Sequence, residues 1–191
     1  MRIILIVSDT FRYDHLGAAG TPPHGWDRVI TPRLDAFAGE AVLFEHCYVS
    51  SFPTIPHRCD MHTGRWGFPF HGWQALEPDE IPLAERLLEA GHHTQLICDT
   101  PHLLRWGMNF WRGFEACHWN RGQETDVPVL RLNEPPTPAY DERHTIQWEQ
   151  YGLGATIVDI HRWVNREWTW EGDTFAATTS RTACKWIEQN C

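Results

Sequence analysis

The sequence has no apolar stretch approaching the roughly 20 residues that a membrane-spanning helix needs. The opening "MRIILIVSDT" does not read as a secretory leader. The apolar run Ile3–Val7 is too short for one and meets Asp9 almost at once, so a cytoplasmic chain with no membrane partner is expected. Its six cysteines (Cys47, Cys59, Cys98, Cys117, Cys184 and Cys191) form no CxxC pair and follow no regular spacing, which points to free thiols. Positive charge is scarce. The net charge is -9 with histidines neutral, which argues against nucleic acid as a partner, because a phosphate backbone needs a basic footprint. A small anionic substrate remains compatible, since one arginine and a metal ion can reverse the sign inside a cleft. No internal repeat is present.

The 191 residues suffice for one α/β domain with a real core. Hydrophobic content of 42% and charged content of 21% are ordinary for a globular chain. Tryptophan is abundant, with 11 residues beside 9 Phe and 4 Tyr. This reads either as a Trp-rich core or as aromatic walls around a ligand cleft, and Trp66, Trp73 and Trp106 suit either role.

Apolar patterning predicts alternating strands and helices. "RIILIVSD" suits a buried parallel strand that delivers Asp9 to its carboxyl end, the edge where ligands gather in open α/β sheets. "TPRLDAFAGEA" predicts a helix capped by Thr31, with Pro32 in its first turn and Leu34, Phe37 and Ala38 on one face. "VLFEHCYV" reads as the next strand, and a short helix follows over about 56–63. "PDEIPLAERLLEAG" is a clearer helix, with Leu83, Leu87 and Leu88 inward and Gly91 as its stop. "HHTQLICD" is a strand ending on Asp99. The pattern fades over 120–140, where "NEPPTPAYDE" is a proline-rich connection. A final helix runs from about Asp173 to Cys191, with Phe175, Thr179, Ala183 and Trp186 on one face. Three strands with alternating helices make half of a doubly wound sheet, so the fold class expected is a partial doubly wound, mainly parallel α/β sheet flanked by helices.

Four segments, in order, resemble the N-terminal part of the sulfatases, in the alkaline phosphatase superfamily. "IILIVSDTFRYDHLG" is similar to the family's opening strand and metal-binding corner. "TPRLDAFAGEAVLFEHCYVSS" resembles its "TPNLD…A…G…F" passage. "PTIPHRCDMHTGRW" stands where sulfatases carry Cys-x-Pro-Ser-Arg followed by Thr-Gly-Arg, and "IPLAERLLEAGHHTQLI" resembles the next helix and strand. The resemblance covers nearly the whole chain and implies that 1–191 is a single N-terminal portion of a sulfatase-like hydrolase domain. It implies a divalent metal ion, with calcium, manganese, magnesium and zinc all open. Asp9 matches the first metal-ligand aspartate. Thr10 stands where many sulfatases have a second aspartate, a hydroxyl in place of a carboxylate. Thr54 matches the nucleophile position, where it also meets the metal, and Arg58 matches the arginine of that motif. His102, in "CDTPHL", falls near the family's Lys-Trp-His segment, although the lysine is missing.

The residue types agree with those roles. Asp9 is a hard oxygen donor at a strand end, suited to a divalent cation or to capping a helix. Arg58 can hold two oxygens of a tetrahedral anion in its planar fork, or form a surface ion pair. Sulfatases usually oxidise a cysteine at the nucleophile position to formylglycine. Threonine cannot become that aldehyde, because its β-carbon carries a methyl group, and Cys59 follows the arginine instead of preceding it by four. An unmodified hydroxyl can still attack if a metal lowers its pKa. Water can clear a phosphothreonine by in-line attack on phosphorus, whereas a sulfothreonine ester lacks the hemiacetal route of release, so phosphate or phosphonate esters are favoured over sulfate. The structural alternative for Thr54 is a turn residue between two prolines. His57 could touch substrate or metal, whereas His62, His92 and His93 read as structural. Cys98 and His102 lie four apart, but Asp99 to His102 reads as a loop, so no zinc site is expected there.

The family's later Asp-His and Asp-Pro-His ligands have no counterpart, and Asp159 with His161 comes too early to replace them. Two readings follow. One is a metal-dependent hydrolase of small anionic sulfate or phosphate esters. The other is an incomplete fragment or pseudoenzyme that only binds, or that assembles with a missing C-terminal half or with its own copies.

Overall fold

The computed structural model describes residues 2–20, 29–123, 165 and 168–190. Its core lies under one helix. The second helix, α2 (Thr54–Thr63), buries Ile55 and Cys59, one turn apart, against Leu76, Leu103 and Phe110, with Leu104 and Met108 packed at the margin. Gly64 ends α2 in the left-handed region at φ 67°, and its amide donates to the Asp60 carbonyl at 2.8 Å. The predicted helix over 56–63 thus begins two residues earlier, at Thr54.

The other expected helices form. The first, α1 (Pro32–Glu40), has Thr31 at its N-cap, but the Thr31 side chain does not cap it. The hydroxyl accepts from the Gly17 amide at 2.8 Å and donates to Asp35 at 2.7 Å, docking the short 3₁₀ turns Tyr13–His15 and Gly17–Ala19 onto the start of α1. Leu34 and Phe37, expected on an inward face, are exposed. In α3 (Leu83–Glu89) the buried residue is Ala84. Leu83 and Leu88 are exposed and Leu87 is half-buried, so the expected inward face is displaced. Gly91, at φ 82°, receives the end of α3 as expected. The short α4 (Pro101–Leu104) places His102 on a helix, not in the predicted loop. The last helix, α5 (Phe175–Asn190), half-buries Phe175, Thr179, Ala183 and Trp186, the predicted face.

The sheet is smaller than expected. Strand β1 (Gln95–Cys98) pairs in parallel with β2 (Ala116–Trp119), in the register Gln95 with Ala116 through Cys98 with Trp119. The connection between them carries α4, as a parallel pair requires. β2 has no sequence forecast, because "ACHW" is too short and too mixed to show a period. Conversely, the strands predicted at "RIILIVSD" and "VLFEHCYV" join no ladder among the described residues. Their apolar side chains are exposed, Ile6 to 86% and Val42 to 79%. The pattern marks segments fit for burial on both faces, and the described residues supply no neighbouring strand to cover them.

β1 and β2 are tied to α5 by polar contacts. Thr179 donates to Asp99 at 2.8 Å and accepts from Asn120 at 2.8 Å, while the Asn120 amide donates to the Cys98 carbonyl at 2.9 Å. Arg112 holds α3 with a fork on Glu85, at 2.8 and 3.3 Å, and reaches the Glu77 carbonyl at 2.8 Å. Trp66, Trp73 and Trp106 are exposed and take no part in the core. The cysteines described, 47, 59, 98, 117 and 184, are free thiols. No described helix is long and apolar enough to cross a membrane. The proline-rich connection and the Asp159–His161 pair lie outside the described residues.

Gly113 sits at φ 80°, and a β-carbon there would collide with the backbone of Ala84 and Glu85 in α3. Both the backbone conformation and the close approach demand glycine. Gly113→Ala is expected to destabilise the chain by about 2 kcal/mol or more, read as a lower urea midpoint with an unchanged slope.

Candidate active site

Thr54 opens α2, directly after Pro53, so its hydroxyl stands at the positive end of a helix dipole. Three of the expected residues meet there. The Thr54 hydroxyl donates to Asp9 Oδ2 at 3.4 Å, and Arg58 Nη2 lies 3.7 Å from the same oxygen. The Arg58 side chain is only 8% exposed, while that of Asp9 is 42% exposed. The buried guanidinium thus faces a half-open carboxylate, which forms the solvent side of the pair. Arg58 Nη1 also contacts Met61 Sδ at 3.7 Å, which holds the side chain along the helix. Arg58 follows Thr54 by four residues, so helical periodicity puts both on one face.

Asp9 and Thr10 form the turn after the N-terminal apolar run, and Thr10 is left-handed at φ 57°. That conformation is strained for a β-branched residue and marks a corner held by its surroundings. His57 is half-buried, with Nδ1 lacking a hydrogen-bond partner. Burial, and secondly the charge of Arg58, push its pKa down. His57 is therefore a neutral imidazole beside the site at neutral pH. His102 sits on α4 with its ring edge-on to Trp73, centroids 5.1 Å apart. His62 is structural, as expected. It stands edge-on to Phe110 and Phe114, and burial, with Arg58 second, pushes its pKa down to about 4.

The family whose description is "Sulfatase" matches residues 2–151. The chain belongs to the sulfatase family. It is 27% identical over 179 residues to an ulvan-active sulfatase of Formosa agariphila, covering 86% of this chain and 32% of that protein. It is 28% identical over 166 residues to the N-acetylgalactosamine-6-sulfatase of Homo sapiens, covering 73% of this chain and 31% of that protein. The chain thus spans about a third of the length of these curated relatives. No solved structure shows a significant match.

Two features of this sulfatase-family chain were missed by sequence reasoning. The first is Asp60, buried one residue beyond Cys59. It accepts from Ser50 and from the Gly67 amide at 2.8 Å, so it ties both ends of the α2 neighbourhood to the helix. Ser51, also buried, accepts from the Phe68 amide at 3.2 Å in the same layer. The available signal was a carboxylate inside an otherwise core-facing helix stretch. The second is a cluster of Cys59, His71 and Glu80, whose ligand atoms lie within 4.8 Å of one another. No motif spacing announces it, because the three come from a helix and two separate points of the following loop.

Burial by itself pushes the Asp60 carboxyl up, but hydrogen bonds from Ser50, Ser51 and Gly67 outweigh it and hold it below the usual carboxylate range. A carboxyl lowered on folding contributes stability that is present above its unfolded value of about 3.9 and is lost as pH falls through the folded value. Asp60→Asn should therefore remove part of the acid-dependent loss below about pH 4, checked by urea midpoints from pH 6 to 3. Its neutral-pH stability should fall, because the carboxylate bonds are replaced by weaker amide ones.

Proposed function

We propose that this chain carries the nucleophile half of a metal-dependent hydrolase of sulfate or phosphate esters. Thr54 is the nucleophile, Asp9 and Thr10 are the metal-side residues, Arg58 is the anion clamp, and His102 stands on the substrate side. The convergence of the Thr54 hydroxyl and the Arg58 guanidinium on Asp9 Oδ2 carries this reading. The donors there are a carboxylate and a hydroxyl, all oxygen, which suits a hard divalent cation such as calcium or magnesium. Such a cation, when bound by Asp9 with Thr54, supplies charge that favours the alkoxide form of the hydroxyl.

The residues themselves account for the rest. Arg58 and the N-terminus of α2 attract the tetrahedral anion and orient it over Thr54. The Thr54 hydroxyl directs its proton at Asp9 Oδ2, which accepts it. Thr54 Oγ1 forms a bond to phosphorus or sulfur as the bond to the ester oxygen breaks, and that oxygen leaves with a proton from solvent. Water then attacks the threonyl ester, releasing the phosphate or sulfate group, and the proton held at Asp9 returns to the Thr54 oxygen. Both named relatives are sulfatases, which supports sulfate, whereas release from an unmodified threonine supports phosphate.

Aryl sulfate, aryl phosphate and aryl phosphodiester assays test this on the protein as it is produced in its source cells. Turnover of at least one substrate is expected, abolished by chelator. Thr54→Ala should lower kcat/KM by about 10³-fold or more. Arg58→Lys should lose about 10- to 100-fold, because a point charge replaces the fork. Unchanged turnover in Thr54→Ala would remove the nucleophile assignment.

A second reading is an assembly module whose partner is the remainder of a sulfatase domain. The exposed apolar runs at residues 3–7 and 42–49 favour it. It predicts self-association and no turnover for the isolated 191-residue chain. A monodisperse, active monomer in light scattering would overturn it.

A further inference from the structure

Cys59, His71 and Glu80 gather behind α2, away from Thr54. Five residues along an α-helix turn the side chain by about 140°, so Cys59 faces the core while Thr54 faces the site. Cys59 is 2% exposed and His71 4%, while the Glu80 side chain is 19% exposed and forms the opening. His71 Nδ1 lies 3.1 Å from the Gly72 carbonyl, which can only accept, so Nδ1 carries the hydrogen. The remaining nitrogen, Nε2, then presents a lone pair. It lies 3.3 Å from Glu80 Oε2 but is buried and makes no hydrogen bond. A lone pair facing a carboxylate oxygen in a buried setting is repulsive unless a cation or a proton stands between them. Cys59 Sγ lies 3.4 Å from the other carboxylate oxygen, Oε1. A backbone carbonyl on the distal nitrogen of a histidine is the usual support of a metal-bound imidazole.

We propose that Cys59, His71 and Glu80 form a structural binding site for a zinc-class divalent cation, separate from the Asp9–Thr54 centre. Tetrahedral zinc with sulfur at about 2.3 Å and nitrogen and oxygen at about 2.0 Å sets ligand atoms roughly 3.3–3.6 Å apart. The imidazole nitrogen lies 3.3 Å from Glu80 Oε2 and the sulfur 3.4 Å from Oε1, and all the ligand atoms lie within 4.8 Å of one another, so closing the shell on one carboxylate oxygen takes a contraction of about 1 Å or less. The donor set, one thiolate, one imidazole and one carboxylate, is softer than the oxygen donors at Asp9 and selects zinc over calcium or magnesium. Without a cation the Cys59 thiol stays protonated, its pKa pushed up to about 12 by burial first and by Glu80 second. On binding, the S–H bond breaks, a sulfur–metal bond forms, one proton leaves to solvent, and nothing is oxidised or reduced. A water completes the fourth position at the Glu80 opening. The site joins the middle of α2 to the 71–80 loop, so the cation would fix the helix that presents Thr54 and Arg58. This inference does not rest on the catalytic roles of those residues.

The test is metal binding by the 191-residue chain, read without any activity assay. Titration with Co²⁺ should give one ion per chain that carries tetrahedral visible bands and a thiolate-to-cobalt charge-transfer band, distinct from any ion at the oxygen-donor Asp9–Thr54 centre. X-ray absorption of the Zn²⁺-loaded chain should show one sulfur among four ligands. Cys59→Ser and Glu80→Gln should weaken binding at least tenfold and Cys59→Ser should remove the charge-transfer band, while Asp9→Asn changes neither. Absence of stoichiometric binding, a thiolate band that survives Cys59→Ser, or loss of the site in Asp9→Asn would each overturn the proposal. If circular dichroism shows that Cys59→Ser does not fold, the sulfur count on the unaltered chain decides, and a shell without sulfur overturns it.

Discussion

Ile55 and Cys59, one turn apart on α2, press that helix onto Leu76, Leu103 and Phe110, and this contact sets the orientation of every polar residue the helix carries. The apolar face is narrow. In a helix of ten residues it comprises Ile55, Pro56 and Cys59, flanked by Arg58 and Asp60, which are themselves buried. Fixing the helix about its axis therefore depends on burial at Ile55 and Cys59 together with the polar bonds on either side. Loss of that face would let Thr54 and Arg58 turn away from Asp9, since Ile55 and Cys59 are the residues of α2 in the core cluster.

Each buried polar group around this core has a distinct partner, as the cost of burying unpaired charge requires. Arg58 faces Asp9, Asp60 is held by Ser50 and Gly67, and Cys59 faces Glu80. By contrast, His57 Nδ1 and His71 Nε2 both lack a hydrogen bond, and what sets His71 apart is that its free nitrogen faces Glu80 and the Cys59 sulfur. One helix thus carries two polar groupings: the Thr54 hydroxyl and the buried Arg58 guanidinium face Asp9 at its start, and the Cys59 thiol faces Glu80 on its inner side.

Membership of the sulfatase family and the limited span of the match bear on the exposed strands. The runs at 2–8 and 42–49 have the composition of central strands in a parallel sheet, yet β1 and β2 are the strands that pair among the described residues. Polar contacts at Asp99, Asn120 and Thr179 hold that pair to α5. Among the described residues, the small core around Phe110 holds α2, and the polar junction holds the strand pair to α5.

Residue identity and spacing alone determined a good deal: the helices near 32–40, 56–63 and 173–191 and the strand ending at Asp99, local properties set by proline and glycine at element ends and by apolar periodicity. The grouping of Thr54 with Arg58 came from the family motif, and tertiary structure extended the helix back to Thr54. The convergence of Asp9 on that pair was legible only through the family motif order, because 45 residues separate Asp9 from Thr54. Tertiary structure decided the rest. It chose Ala84 over Leu83 as the buried residue of α3, placed the tryptophans at 66, 73 and 106 outside the core, paired β1 with an unforecast β2, and left two strand-like runs uncovered. It also brought Cys59, His71 and Glu80 together. The reason is common to all of these. Periodicity reports which residues can be buried, whereas the packing of distant segments decides which of them are.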